Sequence, residues 1–192
     1  MDNFFIFATL KIKMVLKLLS KYKKVVSFIL IFSTVYFLFS LLYNIYIVNT
    51  NTIYYPDVVT YNVSWFTKEI LEFWSYDIKL EPDAIYKSQK LYFNNQLLFN
   101  IVEGCNGLSV IILFLAFVIA LKSKPLMTIG YILFGSVSLY FMNILRLVIL
   151  TLGYYYFPQQ RHLMHDVFFP LIIYGLLLLL WIIWIKINVR EN

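Results

Sequence analysis

The chain has 192 residues, 61% hydrophobic, 20% aromatic and only 14% charged, with a mean hydropathy of +0.77. Soluble domains carry roughly a quarter charged and about half apolar residues, so a disordered chain, a disulfide scaffold and an ordinary cytosolic enzyme are excluded. An integral membrane protein is expected. The 16 Lys and Arg against 10 Asp and Glu give a net charge of +6. Lys11, Lys13, Lys17, Lys21, Lys23 and Lys24 all precede the first long apolar run. That is a topology signal rather than the clustered water-facing patch of a nucleic-acid binder, so no nucleic-acid partner is expected.

In chain order, the basic N-terminus (1–24) comes first. Phe4, Phe5, Leu10, Leu16 and Leu19 mixed with lysines read either as a helix on the inner leaflet or as residues preceding a start at Met14. Residues 25–48 carry no charge and exceed the ~7–15 residues of a signal-peptide core. They are expected to be a retained transmembrane anchor. Segment 49–103 is the only sizeable water-facing part. Within it Val63, Phe66, Ile70, Phe73 and Trp74 follow helical spacing opposite Lys68, Glu69 and Glu72, which predicts a short amphipathic helix at the membrane surface. Leu91-Tyr92-Phe93 and residues 97–102 flank Asn94-Asn95, a pair suited to a tight hairpin turn.

Residues 104–121, 125–145 and 167–185 are again uncharged, and about 20 residues suffice to cross a ~30 Å hydrocarbon core. The expected fold is an all-α polytopic membrane protein of about four transmembrane helices with a small outer helix and hairpin segment. Residues 104–187 form its three-helix membrane core and 188–192 a tail. A cytoplasmic N-terminus also places Lys122, Lys124, Lys186 and Arg190 inside, leaving Lys68, Lys79, Lys87, Lys90 and Arg161 outside. That satisfies the positive-inside rule with both termini cytoplasmic.

Three residues on separate segments then fall near one face. Cys105 is the single cysteine, so no intrachain disulfide forms. It lies at a helix opening, where free N–H groups favour a thiolate, though a lone Cys is also often a small core residue. Arg146 interrupts a long apolar stretch. An arginine near membrane depth costs at least ~2.5 kcal/mol and usually has a function, the alternative being snorkelling to headgroups. Asn143 sits three residues earlier on the same helical face, able to hold the guanidinium, contact a substrate or bond between helices. His165 and His162 are the only histidines. Asp166 beside His165 suits a helix cap.

Cys attack on a carbonyl, His proton transfer and Arg stabilisation together make a thiol acyl-transfer site. Two histidines and one cysteine without CxxC or HExxH spacing leave no metal site expected, and no cofactor is expected. A non-catalytic membrane subunit of an envelope or polysaccharide assembly system is the alternative. In that reading Cys105 is core and Arg146 pairs with a partner helix.

Glu103-Gly104-Cys105-Asn106-Gly107, Asn143-Ile144-Leu145-Arg146 and His165-Asp166 with Pro170 resemble the exosortase/archaeosortase family, polytopic membrane enzymes with a Cys…Arg…His set in that chain order. The short length, single outer segment and the run from His165 to Pro170 resemble the compact exosortase F type. The resemblance covers about residues 94–187. It implies a cysteine transpeptidase or protease of the bacterial inner membrane, with its site on the periplasmic face. Its substrates would be exported proteins bearing a C-terminal sorting signal with a transmembrane helix. By that analogy Cys105 is the nucleophile, His165 the general acid/base and Arg146 the electrostatic stabiliser, with His162 competing for the base role. Larger members have more helices, which leaves open whether a small accessory membrane protein completes the site here; membrane lipid is a further expected partner.

Overall fold

The computed structural model describes residues 21–50, 56–121 and 123–191. The segment 1–20, with the surface helix or late start expected there, and Lys122 lie outside the described residues. Helix α1 (Lys23–Asn49) has 27 residues, uncharged after Lys23-Lys24, and is about 40 Å long at 1.5 Å per residue. Its last carbonyls are satisfied by side chains: Asn49 Nδ2 donates to Ile45 O at 2.8 Å and the Thr50 hydroxyl to Tyr46 O. None of its residues is fully buried. It leans on the helical segment 108–120 through an edge-to-face contact of Phe28 with Phe117.

Helix α2 (Val58–Phe73) opens at Asp57, whose carboxylate accepts from Val59 N at 2.9 Å and Thr60 N at 3.0 Å, the usual N-cap geometry. The amphipathic helix is present, and its face inside the protein is Thr60, Val63, Ser64, Thr67 and Leu71. The large aromatics Trp65, Phe66, Phe73 and Trp74 stay exposed. Small side chains win the packed face because they let two helices approach closely. Their hydroxyls bond within the helix, Ser64 Oγ to Thr60 O at 2.7 Å and Thr67 Oγ1 to Val63 O at 2.8 Å, so little polarity is left unsatisfied.

The expected hairpin is part of a three-stranded antiparallel sheet, β1 (Ile78–Asp83), β2 (Ser88–Phe93) and β3 (Gln96–Ile101), in sequence order. Asn94 and Asn95 both have positive φ, +48° and +63°, between the paired Phe93 and Gln96. This is the two-residue turn that matches strand twist. Strand β1 escapes the sequence reading because Pro82 interrupts it. Proline is tolerated at a sheet edge, and β1 is an edge, pairing with β2 alone.

Helix α3 (Leu108–Ala120) has 13 residues, about 20 Å. Helix α4 (Pro125–Tyr156) has 32, about 48 Å, and α5 (Phe169–Glu191) completes the set. Among the described residues, three helical stretches, Lys23–Asn49, Pro125–Tyr156 and Pro158–Val189, are long and apolar enough to cross a membrane, with Leu108–Ala120 a shorter apolar helix.

The helix expected at 125–145 thus runs eleven residues further, and the extra turns carry a second core. Phe114, Val118, Leu139, Ile173, Leu177, Leu180 and Trp184 form the membrane core. There Gly135 lets the Phe114 ring lie where a Cβ would be 2.1 Å from it. Ile144, Leu147, Val148 and Leu150 of α4 instead join Val63, Leu71, Leu91, Phe93 and Ile101 of α2 and the sheet. The protein is therefore a membrane bundle with a small α/β cap built on the projecting end of α4.

Candidate active site

Cys105 closes a 3-10 turn (Glu103–Cys105) between β3 and α3. Its N–H donates to Val102 O at 2.8 Å, and its free thiol is half-buried, packed at the margin of the cap core. Gly107 follows with φ +80°, where a Cβ would stand 2.9 Å from Asn143 Cγ. Only glycine meets both demands without strain. The turn is held from three helices. Asn143 of α4, fully buried, donates Nδ2 to Cys105 O at 2.8 Å. Tyr43 of α1 donates to Glu103 O at 3.3 Å. Asn106, 1% exposed, accepts from Leu108 N at 2.9 Å and donates to Tyr43 Oη at 3.0 Å and Thr60 Oγ1 at 3.2 Å.

Arg146 lies one helical turn beyond Asn143, about 32 Å along α4 from Pro125, at the junction of bundle and cap. Its guanidinium carbon is 6.0 Å from the centre of the Phe169 ring. Its Nε is buried without a hydrogen-bond partner, and among the described residues no carboxylate pairs with it. A cation held there without a counter-charge is costly.

The segment before α5 is helical too: a short helix Arg161–Leu163 continues into a π turn, Met164–Phe168. Phe169 N reaches back to Met164 O. Pro170 lies just beyond. It lacks an N–H, and its ring opposes the carbonyl four residues back, so a widened turn relieves the clash. Since the helix starts before it, Asp166 caps no helix end. Its carboxylate instead meets both histidines, His165 Nδ1 at 2.8 Å from Oδ1 and His162 Nε2 at 2.9 Å from Oδ2. Both imidazoles are exposed.

The fold brings the Cys105 turn directly onto Asn143, one turn from Arg146. Arg146 in turn touches Phe169, the residue that follows the turn bearing His165. No hydrogen bond joins Cys105 to His165. Tyr154 of α4 lies within electrostatic reach of Cys105, Arg161 and Asp166, tying the thiol's neighbourhood to the histidine segment.

Sequence reasoning missed Asn106 as the knot of this turn, because its partners are 46 and 63 residues away in the chain. It also missed Arg161, counted above only as an outer charge. The Arg161 guanidinium carbon sits 5.3 Å from the Tyr154 ring centre, with Nε buried and unpartnered. A shallow cleft of about 500 Å³ beside the Cys105 turn is lined by Ile85, Tyr86, Lys87, Val102, Glu103 and Gly104.

No curated protein and no solved structure matches the chain. A family model does, described as transmembrane exosortase, over residues 7–185. That match takes in both cores, the Cys105 turn, Arg146 and the histidine segment, and the chain belongs to the transmembrane exosortase family.

Proposed function

We propose that the protein is a membrane-embedded cysteine transpeptidase that cleaves C-terminal sorting signals of exported proteins at the outer face of the bacterial inner membrane, with both termini cytoplasmic. Cys105 is the nucleophile, His165 the general acid/base, Arg146 the electrostatic stabiliser and Asn143 a supporting residue. The observation that carries this reading is the placement of two unspent groups about Asn143, one on the turn it holds and one on the next turn of its own helix. A free thiol sits on a turn held by Asn143, and one turn along α4 stands an arginine without a carboxylate partner among the described residues. A structural arginine would be expected to have a counter-charge. One kept unpaired is available to a thiolate or an oxyanion.

In the reaction, Sγ of Cys105 attacks the scissile peptide carbonyl while His165 takes the thiol proton. Arg146 stabilises the negative charge, first on sulfur and then on the carbonyl oxygen. The tetrahedral intermediate collapses as the C–N bond breaks, with the proton passing from His165 to the departing amine. This leaves a thioester, which an acceptor amine or water resolves. A sorting signal's own helix packs in the bilayer beside the bundle and brings its cleavage motif to the depth of Cys105. The Ile85–Gly104 cleft beside the turn offers room for the preceding residues.

The test is mass spectrometry of envelope-protein C-termini in cells carrying wild type or Cys105→Ala. Loss of a helical, basic-tailed C-terminus from a set of proteins only in wild-type cells supports the assignment. Identical termini in both strains, with candidate substrates detected, overturn it.

A further inference from the structure

We propose that Asp166 is a positioning residue that fixes His165 with its proton on Nδ1 and leaves Nε2 as the free proton acceptor. The proposal builds on the acid/base role given to His165 above. An ionised carboxylate can only accept hydrogen bonds. His165 meets it through Nδ1, 2.8 Å from Oδ1, so Nδ1 donates and the lone pair of the neutral ring lies on Nε2. His162 reaches the other carboxylate oxygen through Nε2, at 2.9 Å. Its proton is therefore on Nε2 and its free nitrogen is Nδ1, the one crowded by its own backbone.

One carboxylate thus sorts the two histidines into opposite tautomers, and only His165 presents the outer ring nitrogen. This resolves the competition between them on chemical grounds. It also requires an active partner, because an unconstrained imidazole prefers its proton on Nε2. The hydrogen bond made by one ring nitrogen sets what the other can do.

Burial and backbone support the same division. The His162 side chain is 93% exposed, whereas His165 is 65% and Asp166 45% exposed, so the His165–Asp166 pair is the less screened by solvent. The π turn beneath that pair is pinned on both sides. Met164 packs over Gly153, where there is no Cβ to obstruct it. Phe169, 3% exposed, sits in the cap core against Arg146. The widening of the helix ahead of Pro170 therefore occurs between two anchors on α4 and presents His165 and Asp166 together. When His165 takes the thiol proton on Nε2 it becomes a cation, and Asp166 stabilises it through the Nδ1 hydrogen bond it already makes.

The experiment is nitrogen NMR of the full chain in detergent micelles, labelled with ¹⁵N-histidine, at about pH 8.5, where imidazoles of ordinary pKa near 6.5 are neutral. The His162→Gln variant leaves a single histidine signal set. Its Nδ1 should show the protonated shift and Nε2 the unprotonated one, and adding Asp166→Ala should reverse the assignment. An Nε2-protonated ring in the His162→Gln chain overturns the proposal, as does an Nδ1 proton that persists without Asp166. On processed substrate, Asp166→Ala should lower kcat on the order of 100-fold with KM little changed, the range of general acid–base effects. If Cys105→Ala leaves processing intact, the nucleophile assignment fails while the tautomer result stands on its own.

Discussion

Asn143 Nδ2 donates to the carbonyl oxygen of Cys105 across 2.8 Å, so a buried side chain of the longest helix holds the backbone of the turn that carries the thiol. The carbonyl can only accept, which fixes the orientation of the amide and turns Oδ1 into a site with no partner. Asn143→Ala should cost about 1 kcal/mol, up to the ~3 kcal/mol of a fully buried group, as the partly buried carbonyl is left unsatisfied. Asn143→Asp should cost more, because it sets a carboxylate oxygen against the carbonyl. Thermal unfolding in detergent checks the order. Equal melting temperatures for wild type and both variants would show that the contact holds nothing.

Gly107 meets the same asparagine from the other side. A left-handed conformation at φ +80° costs an L side chain roughly 1–2 kcal/mol, and the added methyl would also press on Asn143 Cγ. Gly107→Ala should therefore lower both the melting temperature and the processing rate. Combined with Asn143→Ala the losses should fall short of their sum by ~0.5 kcal/mol or more, since the second change removes Cγ, the nearest atom the methyl meets, and Nδ2, leaving only Cβ. A strictly additive double-mutant cycle would place the whole cost in backbone strain.

How far these relationships can be read from the chain depends on their range. The Asn94-Asn95 turn is legible because positive φ at two adjacent residues is local chemistry. The anchor helix is legible because uncharged length is enough. Strand β1 is hidden by Pro82 and by its position at an edge. The extension of α4 to Tyr156 is hidden because an apolar run does not say whether lipid or protein covers it, and Ile144, Leu147, Val148 and Leu150 pack in the cap core. Cys105, Arg146 and His165 stand out by rarity. What holds them does not: Asn106 is bound to Tyr43 and Thr60, distant in sequence, and Asp166 looks like a helix cap until the helix is seen to begin before it.

The sheet has its own pH dependence. Asp83, 5% exposed, joins β1 to β2 through Lys90 Nζ at 2.9 Å and accepts from Ile85 N at 2.9 Å. The hydrogen bond from Lys90 holds its carboxyl below the usual carboxylate value, and the same contact raises Lys90. A carboxyl with a lowered folded pKa contributes its full stability above the unfolded value of about 3.9 and loses it as pH falls through the folded value. The stability gap between wild type and Asp83→Asn should therefore be constant near neutrality and close as pH drops below about 4. It should narrow again as pH rises above the ordinary lysine value of about 10.4 and through the raised value of Lys90, where the folded protein gives up that proton. Limited proteolysis of the cap across pH measures it. A gap unchanged at low pH would remove Asp83 as its source.

Arg146 separates stability from function. Its Nε is buried without a partner, its guanidinium rests near the Phe169 ring, and no carboxylate among the described residues balances it. A group that served the fold would be missed on removal, since breaking a buried ion pair costs about 3–5 kcal/mol. A cation kept unpaired for chemistry should not be. Arg146→Met retains the length and apolar stem while deleting the uncompensated charge, and apolar replacements of buried charges are often neutral or stabilising. We expect a melting temperature in detergent equal to or above that of wild type, together with loss of substrate processing and slower alkylation of Cys105 at neutral pH, because the cation proposed to stabilise its thiolate is gone. Arg146→Lys should recover part of the alkylation rate, since a charge remains, but less of the processing, since the planar fork of donors is gone. A large fall in melting temperature with Arg146→Met, at an unchanged alkylation rate, would make the arginine a structural residue and remove the electrostatic partner from the proposed site.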